Sequence, residues 1–248
     1  MRRARLILLA GTVLYSAWLI APLLGSRLSP LYSYVSEAGA AGQPNAAFFR
    51  ATDLLAGTAF VVAAALALRA ARPVPRLALI ALAGLLILGA ATMGDALLPL
   101  SCTPTADAAC AARESAGLVP WTHVGHAVSS GIAGFGGVVA VLGWGLWRRS
   151  GADGRTPGFD GARLALGLGA LHLLATAWTL AAMLEPALYL GLAQRTQVLT
   201  LTLWLALLAS SPRAQRHAAP TPAGRDTPRS PRRSAAAAGP SRPDRRAG

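Results

Sequence analysis

The sequence predicts an all-α, polytopic bundle of six transmembrane helices with both termini in the cytoplasm. Three observations carry that prediction: few charges for the length, six apolar stretches long enough to span a bilayer, and a lopsided distribution of arginine. Of 248 residues only 13% are charged and 54% are hydrophobic, and the mean hydropathy is +0.46. A soluble domain carries about 25% charged residues, so the composition disfavours a water-soluble globule. Two cysteines are too few for a disulfide-dense secreted module.

A hydrocarbon core about 30 Å thick takes roughly 20 helical residues at about 1.5 Å each. Stretches 6–24, 51–68, 77–98, 119–147, 164–184 and 187–209 meet that need. The second is short, the fourth is long, and the sixth contains Gln194 and Arg195, which leaves its boundary open by a turn. The first has the basic start and apolar run of a signal peptide. Its run is longer than usual and no small-x-small cleavage site follows, so it reads as a retained helix.

Arginine sets the orientation, since the chain has no lysine. Arg2, Arg3, Arg5, Arg69, Arg72, Arg76, Arg148, Arg149, Arg155, Arg163 and nine more after Ser211 fall on one side. Arg27, Arg50, Arg113 and Arg195 fall on the other. The positive-inside rule places both termini in the cytoplasm, and an even helix number agrees. Residues 1–211 form the membrane domain on this reading. Residues 212–248, mostly Pro, Arg, Ser, Ala and Gly, cannot bury enough apolar surface to fold and are expected to be disordered. Arginines there, opposed only by Asp226 and Asp244, would draw the tail to anionic lipid. The tail has no aromatic residue for base stacking, so nucleic acid is not an expected partner, and the net charge of +13 follows from tail and topology.

Two outer segments are too long for simple turns. Residues 31–40 read Leu-Tyr-Ser-Tyr-Val-Ser-Glu-Ala-Gly-Ala, a pattern suited to a short interfacial helix or re-entrant piece, and Gln43-Pro44-Asn45 is a turn before the second helix. Segment 99–118 holds Cys102 and Cys110. On the oxidising side they are expected to form a disulfide, worth roughly 2.5 kcal/mol for so short a loop.

Ionisable groups inside a membrane span are costly and are usually paired or functional. Glu37, Asp95, His123, His126 and Arg195 lie at similar depth towards the outer face and form the candidate ligand-binding cluster. Arg195 needs a partner if it sits in hydrocarbon, and depth nominates Asp95 and Glu37. Two readings stay open. One is an ion-pair network that holds helix ends together. The other is a pocket open to the outer leaflet, where Arg195 meets a lipid phosphate or carboxylate and the histidines and Asp95 add polar contacts. His123 and His126 share a helical face. With Asp95 they make a weaker candidate metal set, for which zinc is the fitting ion, although His-Glu-x-x-His is absent. His172 reads as a hydrogen-bonded packing residue and Asp53 as an N-cap of the second helix. The pairs Ala127/Gly131 and Ala133/Gly137 predict close helix approach. Trp144, Trp147 and Trp204 read as helix-end or lipid-facing aromatics. No GxGxxG, Walker loop, CxxC or GxSxG supplies a catalytic or nucleotide motif.

Three motifs carry a resemblance. Tyr34-Val-Ser-Glu-Ala-Gly-Ala40 precedes Pro44 and a helix. A path runs from Gly94-Asp95 through Pro99, Cys102, Cys110 and Glu114 to His123 and His126, and Gly191-Leu-Ala-Gln-Arg195 stands ahead of Trp204. In this order they resemble the bacterial "domain of unknown function 998" family, over roughly residues 6–209. The resemblance implies a six-helix integral membrane protein and no activity. Relatives often have Glu-Arg where this chain has Gln194-Arg195. The ceramidase- and adiponectin-receptor-like transmembrane hydrolases, which use serine, aspartate and three histidines around zinc, are a looser comparison. The last helix here has no histidine, which argues against carrying that activity over.

The expected function is that of a multi-pass protein of the bacterial plasma membrane, in contact with membrane lipids, with no assigned catalysis and no required cofactor. Its polar cluster is either structural or binds a lipid-like ligand. A metal-dependent hydrolase of lipid head groups acting through Asp95, His123 and His126 is the alternative, and a small transporter ranks behind it because no broken-helix repeat is evident.

Overall fold

A computed structural model describes residues 2–70, 73–150 and 162–210. It is all-helical among the described residues. The helices are α1 (Arg2–Tyr15, continued by a tighter turn at Ala17–Ile20), α2 (Ala46–Ala70), α3 (Arg76–Leu97), α4 (Ala108–Ser115), α5 (Trp121–Arg149), α6 (Ala162–Ala182) and α7 (Leu190–Ser210). All but α4 are long and apolar enough to cross a membrane. The expected spans are therefore all present, with shifted ends. The second, expected to be short, runs from Ala46, because the turn at Gln43-Pro44-Asn45 ends with Asn45 at φ 57° and releases the chain straight into helix.

The six spans close into a ring. In chain order each packs on the next, α5 following α3, and α7 returns to α1. One clip between first and last helices is the bond from Arg5 Nε to the Ala209 carbonyl, 2.8 Å. Successive spans run in opposite directions, so one end of the ring carries the termini and the other carries the segments 21–45, 98–120 and 183–189. The latter is called the disulfide end below.

The ring has an inverted distribution of polarity. Leucine, valine and phenylalanine crowd its outside, including Leu6, Val13, Leu55, Leu79, Val128, Phe135, Leu171, Leu174 and Leu203. Alanine, glycine, threonine and histidine fill its inside. An apolar surface this continuous belongs in lipid. Small residues inside let helices approach where dispersion, not water release, drives packing. Buried threonines satisfy themselves against the preceding turn, as Thr92 does on Leu88 at 2.8 Å and Thr179 on Ala175 at 2.9 Å.

α3 and α5 are joined backbone to backbone. A Cβ added at Gly143 would lie 2.6 Å from the Ala81 nitrogen, and one at Gly84 or Gly136 would strike the opposite helix's backbone. The small-residue stripe on α5 is thus Gly136, Ala140 and Gly143. Of the expected pairs, Ala127/Gly131 does not serve this purpose, since Gly131 has open space where a Cβ would stand. Gly137 faces Leu201 and His172 instead. Spacing identified small residues on α5 but not the face turned to α3. Trp204 also differs from expectation. It is 2% exposed, in the core, edge-on to Trp144 at 5.8 Å between ring centroids. The expected tail, 212–248, lies outside the described residues.

Candidate functional site

The disulfide end is closed by a cap built from two segments. A tight helical turn at Val35–Gly39 occupies the place where an interfacial piece is expected. The 99–118 segment adds α4, whose N-cap Asp107 accepts from the Ala109 N–H at 2.9 Å. Cys102 and Cys110 are bonded, with Cα atoms 6.0 Å apart. The two segments meet at Glu37, which is fully buried. Its carboxylate accepts the Thr105 N–H at 2.9 Å and the Thr105 hydroxyl. Burial pushes Glu37 above the ordinary carboxylate value, and bonds from Thr105, Ser33 and Tyr34 pull it back in part. A backbone bond from the Ala41 N–H to the Leu100 carbonyl, 2.9 Å, makes a second tie.

α7 holds the cap from below through Gly191-Leu-Ala-Gln-Arg195. Gly191 is required by proximity, since a Cβ there would stand 2.7 Å from the Ser33 carbonyl oxygen. Gln194 Oε1 accepts the Val35 N–H at 2.6 Å. Arg195 Nη1 donates to the carbonyls of Ser33, Gly191 and Pro30 at 2.7, 3.0 and 3.1 Å. The expected partner of Arg195 was a carboxylate. Its hydrogen bonds among the described residues go to carbonyls instead, and Glu37 acts on it only electrostatically. α7 starts at Leu190 rather than 187, so Arg195 sits about 8 Å from the helix start, within reach of the loop.

Both histidines of α5 are occupied at Nδ1, and each Nε2 has no hydrogen-bond partner among the described residues. The Ser101 N–H donates to His123 Nδ1 at 3.2 Å, which places the ring proton on Nε2, facing Glu114 Oε1 at 3.4 Å. The Ser101 hydroxyl lies 3.0 Å from the same Nδ1. Serine, histidine and glutamate in a row suggest a nucleophile and its base. Here, however, Nδ1 is shared with the backbone of the same serine, the geometry of a loop anchor. His126 Nδ1 faces the last carbonyls of α3, Leu98 at 3.0 Å and Asp95 at 3.2 Å, and so caps that helix. The Asp95 carboxylate takes the Ser129 hydroxyl and lies 4.0 Å from His126. Asp95 and His126 are therefore neighbours, while His123 turns to a different partner. Among the described residues no three His, Cys, Asp or Glu side chains group as a metal requires, so Asp95, His123 and His126 do not assemble as one ligand set.

Beneath the cap, inside the ring, lies a cavity of about 120 Å³. All six spans contribute to its wall. Its polar lining includes Thr52, Asp53, Thr92, Asp95, Ser130, His172, Gln194 and Gln197, and Tyr15, Trp18 and Phe49 add aromatic surface. Asp53 has no hydrogen bond or ion pair among the described residues. It is two turns into α2, not at the helix N-terminus where an N-cap stands. His172 is 1% exposed. Its Nδ1 donates to the Gln197 carbonyl at 3.1 Å, and Nε2 is left without a partner. The Trp18 indole N–H is likewise buried and unpartnered.

The family described as "Protein of unknown function (DUF998)" matches residues 8–211. The chain belongs to the DUF998 family. No curated protein and no solved structure matches it. The DUF998 match spans every helix of the ring, and the expected resemblance is thereby met. In this DUF998 protein the expected cluster divides. Glu37, His123, His126 and Arg195 build and anchor the cap, and only Asp95 also reaches the cavity. Sequence reasoning missed Asp53, Gln197 and His172 as cavity residues. The available signal was polarity well inside apolar helices, which lipid does not tolerate without a purpose.

Proposed function

We propose that this DUF998 protein is a small-ligand-binding protein of the bacterial plasma membrane, with both termini cytoplasmic and the capped cavity facing the outer side. The observation that carries the reading is the cavity itself. Six spans converge on about 120 Å³ lined by polar groups, of which His172 Nε2 and Trp18 Nε1 have no partner among the described residues. Buried polar groups left unpaired are costly, and a native fold keeps them where something else pairs with them.

Arginine enrichment at the opposite end supports the orientation, and a disulfide in the cap agrees with an oxidising outer compartment. The cap residues take the structural half of the expected role. Arg195 spends its donors on loop carbonyls, which weighs against it as a lipid-phosphate site. A cavity of this size also suits a small molecule better than an acyl chain. The arginine-rich tail would lie on the cytoplasmic surface against anionic lipid.

Gly134 supplies the test. It lines the cavity, and a Cβ there would meet only Gln197 Nε2, at 3.9 Å. Gly134→Leu should fold, fill the space and lose any small molecule that native mass spectrometry finds on the purified wild type. A variant that retains the same bound molecule would overturn the cavity as the binding site.

A further inference from the structure

We infer that the ligand of this cavity is a small aliphatic primary ammonium ion, held by Asp53, Asp95 and His172. This rests on the cavity being the binding site and adds the chemistry of what it takes. Apart from the Trp18 N–H, which a cation leaves unmet, the wall presents acceptors at Asp53, His172 and Gln197. Among the described residues the Asp53 carboxyl has no hydrogen bond or ion pair, and it lines the same cavity as Asp95. Asp95 is already oriented by the Ser129 hydroxyl. His172 commits its only ring proton to the Gln197 carbonyl, so its unpartnered Nε2 is a lone pair. Gln197 gives its amide N–H to Thr176 at 3.1 Å, which leaves its amide oxygen to accept.

A ligand that satisfies these acceptors must bring donors and positive charge. An ammonium group has three N–H donors and no acceptor, and each bond to a carboxylate is charge-assisted. Among the described residues no arginine lines the cavity, and Arg195 is turned to the cap. An anion would therefore meet two carboxyl groups and no guanidinium. Size limits the rest of the molecule. A dry cavity of about 150 Å³ holds benzene, so this one holds an ion of about five non-hydrogen atoms. Tyr15 and Trp18 line the cavity and add aromatic surface for the cation and its alkyl chain.

The experiment compares three probes of nearly equal size on detergent-purified full-length protein. They are n-butylammonium, tetramethylammonium and n-butanol, each added to a thermal unfolding series and to isothermal titration. n-Butylammonium should raise the melting temperature and bind. Tetramethylammonium, with charge but no N–H, and n-butanol, with no charge, should bind at least about tenfold more weakly, the loss expected for a charge-assisted bond. Asp53→Asn should fold as the wild type does, because Asp53 has no protein partner to lose, and should weaken n-butylammonium about tenfold or more. Asp95→Asn is the second variant and keeps an oxygen for Ser129. Equal binding of all three probes, or no binding of n-butylammonium, overturns the ammonium assignment. If Gly134→Leu abolishes that non-selective binding, the cavity stands as a binding site and only the ligand class is wrong. Binding unchanged in Gly134→Leu removes the cavity as well.

Discussion

The cap and the cavity lie one above the other in the same ring and treat polar groups in opposite ways. In the cap nearly every polar side chain is used by the fold. Glu37 joins two segments through Thr105, Arg195 gathers three carbonyls, and His123 anchors the Ser101 backbone. Among the described residues, Asp53 in the cavity has no hydrogen bond or ion pair, and His172 Nε2 and Trp18 Nε1 are unpaired, as are His123 Nε2 and His126 Nε2 in the cap. Ionisable side chains at similar depth therefore have different meanings. Glu37 and Arg195, bonded to the loops, position the cap, and Asp53 and His172, which line the cavity, are where the proposed ligand completes the site.

Arg195→Ala is the largest expected break in that contrast. It strands the carbonyls of Pro30, Ser33 and Gly191 and should cost about 3 kcal/mol of stability, read as a lower thermal midpoint in detergent. Arg195→Lys should recover part of the loss, because an ammonium keeps three donors but not the planar fork. A neutral Arg195→Ala would mean the cap does not depend on this anchor. His123→Ala comes next, at about 2 kcal/mol. Amide hydrogen exchange should rise at Ser101 and through the segment that follows.

Glu37→Gln gives a smaller effect with a definite pH dependence. Burial raises the folded-state pKa of Glu37 above its unfolded value. Its contribution to stability is therefore full below about pH 4.3, the unfolded reference, and is lost as pH rises through the folded value. The amide removes that slope. At pH 7 the variant should match or exceed the wild type by less than about 1 kcal/mol, and a wild-type midpoint flat between pH 4 and 8 would contradict the burial argument. Asp53→Asn is the smallest. With no partner among the described residues to lose, it should change stability by no more than about 0.5 kcal/mol, in contrast to Arg195→Ala and His123→Ala.

The spans were legible because hydropathy over some twenty residues is a strong and redundant signal. The disulfide followed from two cysteines in one loop. The first outer segment was legible as something more than a turn, and Glu37 within it as a member of the polar cluster. The cavity was not legible as a unit, for a geometric reason. Its wall takes one to four residues from each of six helices, and sequence gives depth along each helix but not its rotation about its axis. Glu37, Asp95 and Arg195 were placed together by depth alone; Glu37 and Arg195 share the cap, while Asp95 turns to Ser129 and the cavity. The glycines of α5 repeat the lesson, since Gly131 and Gly136 are equally small and only one meets α3.

Closure of the ring through α1 and α7 has a consequence for biosynthesis. α1 emerges from the ribosome well before α7 and waits beside a vacant position until α7 arrives. Tyr15 and Gln197 face one chamber across almost the full length of translation. A nascent chain stopped after α6 would expose that chamber's polar wall sideways to the bilayer, where membrane quality-control proteases could recognise it.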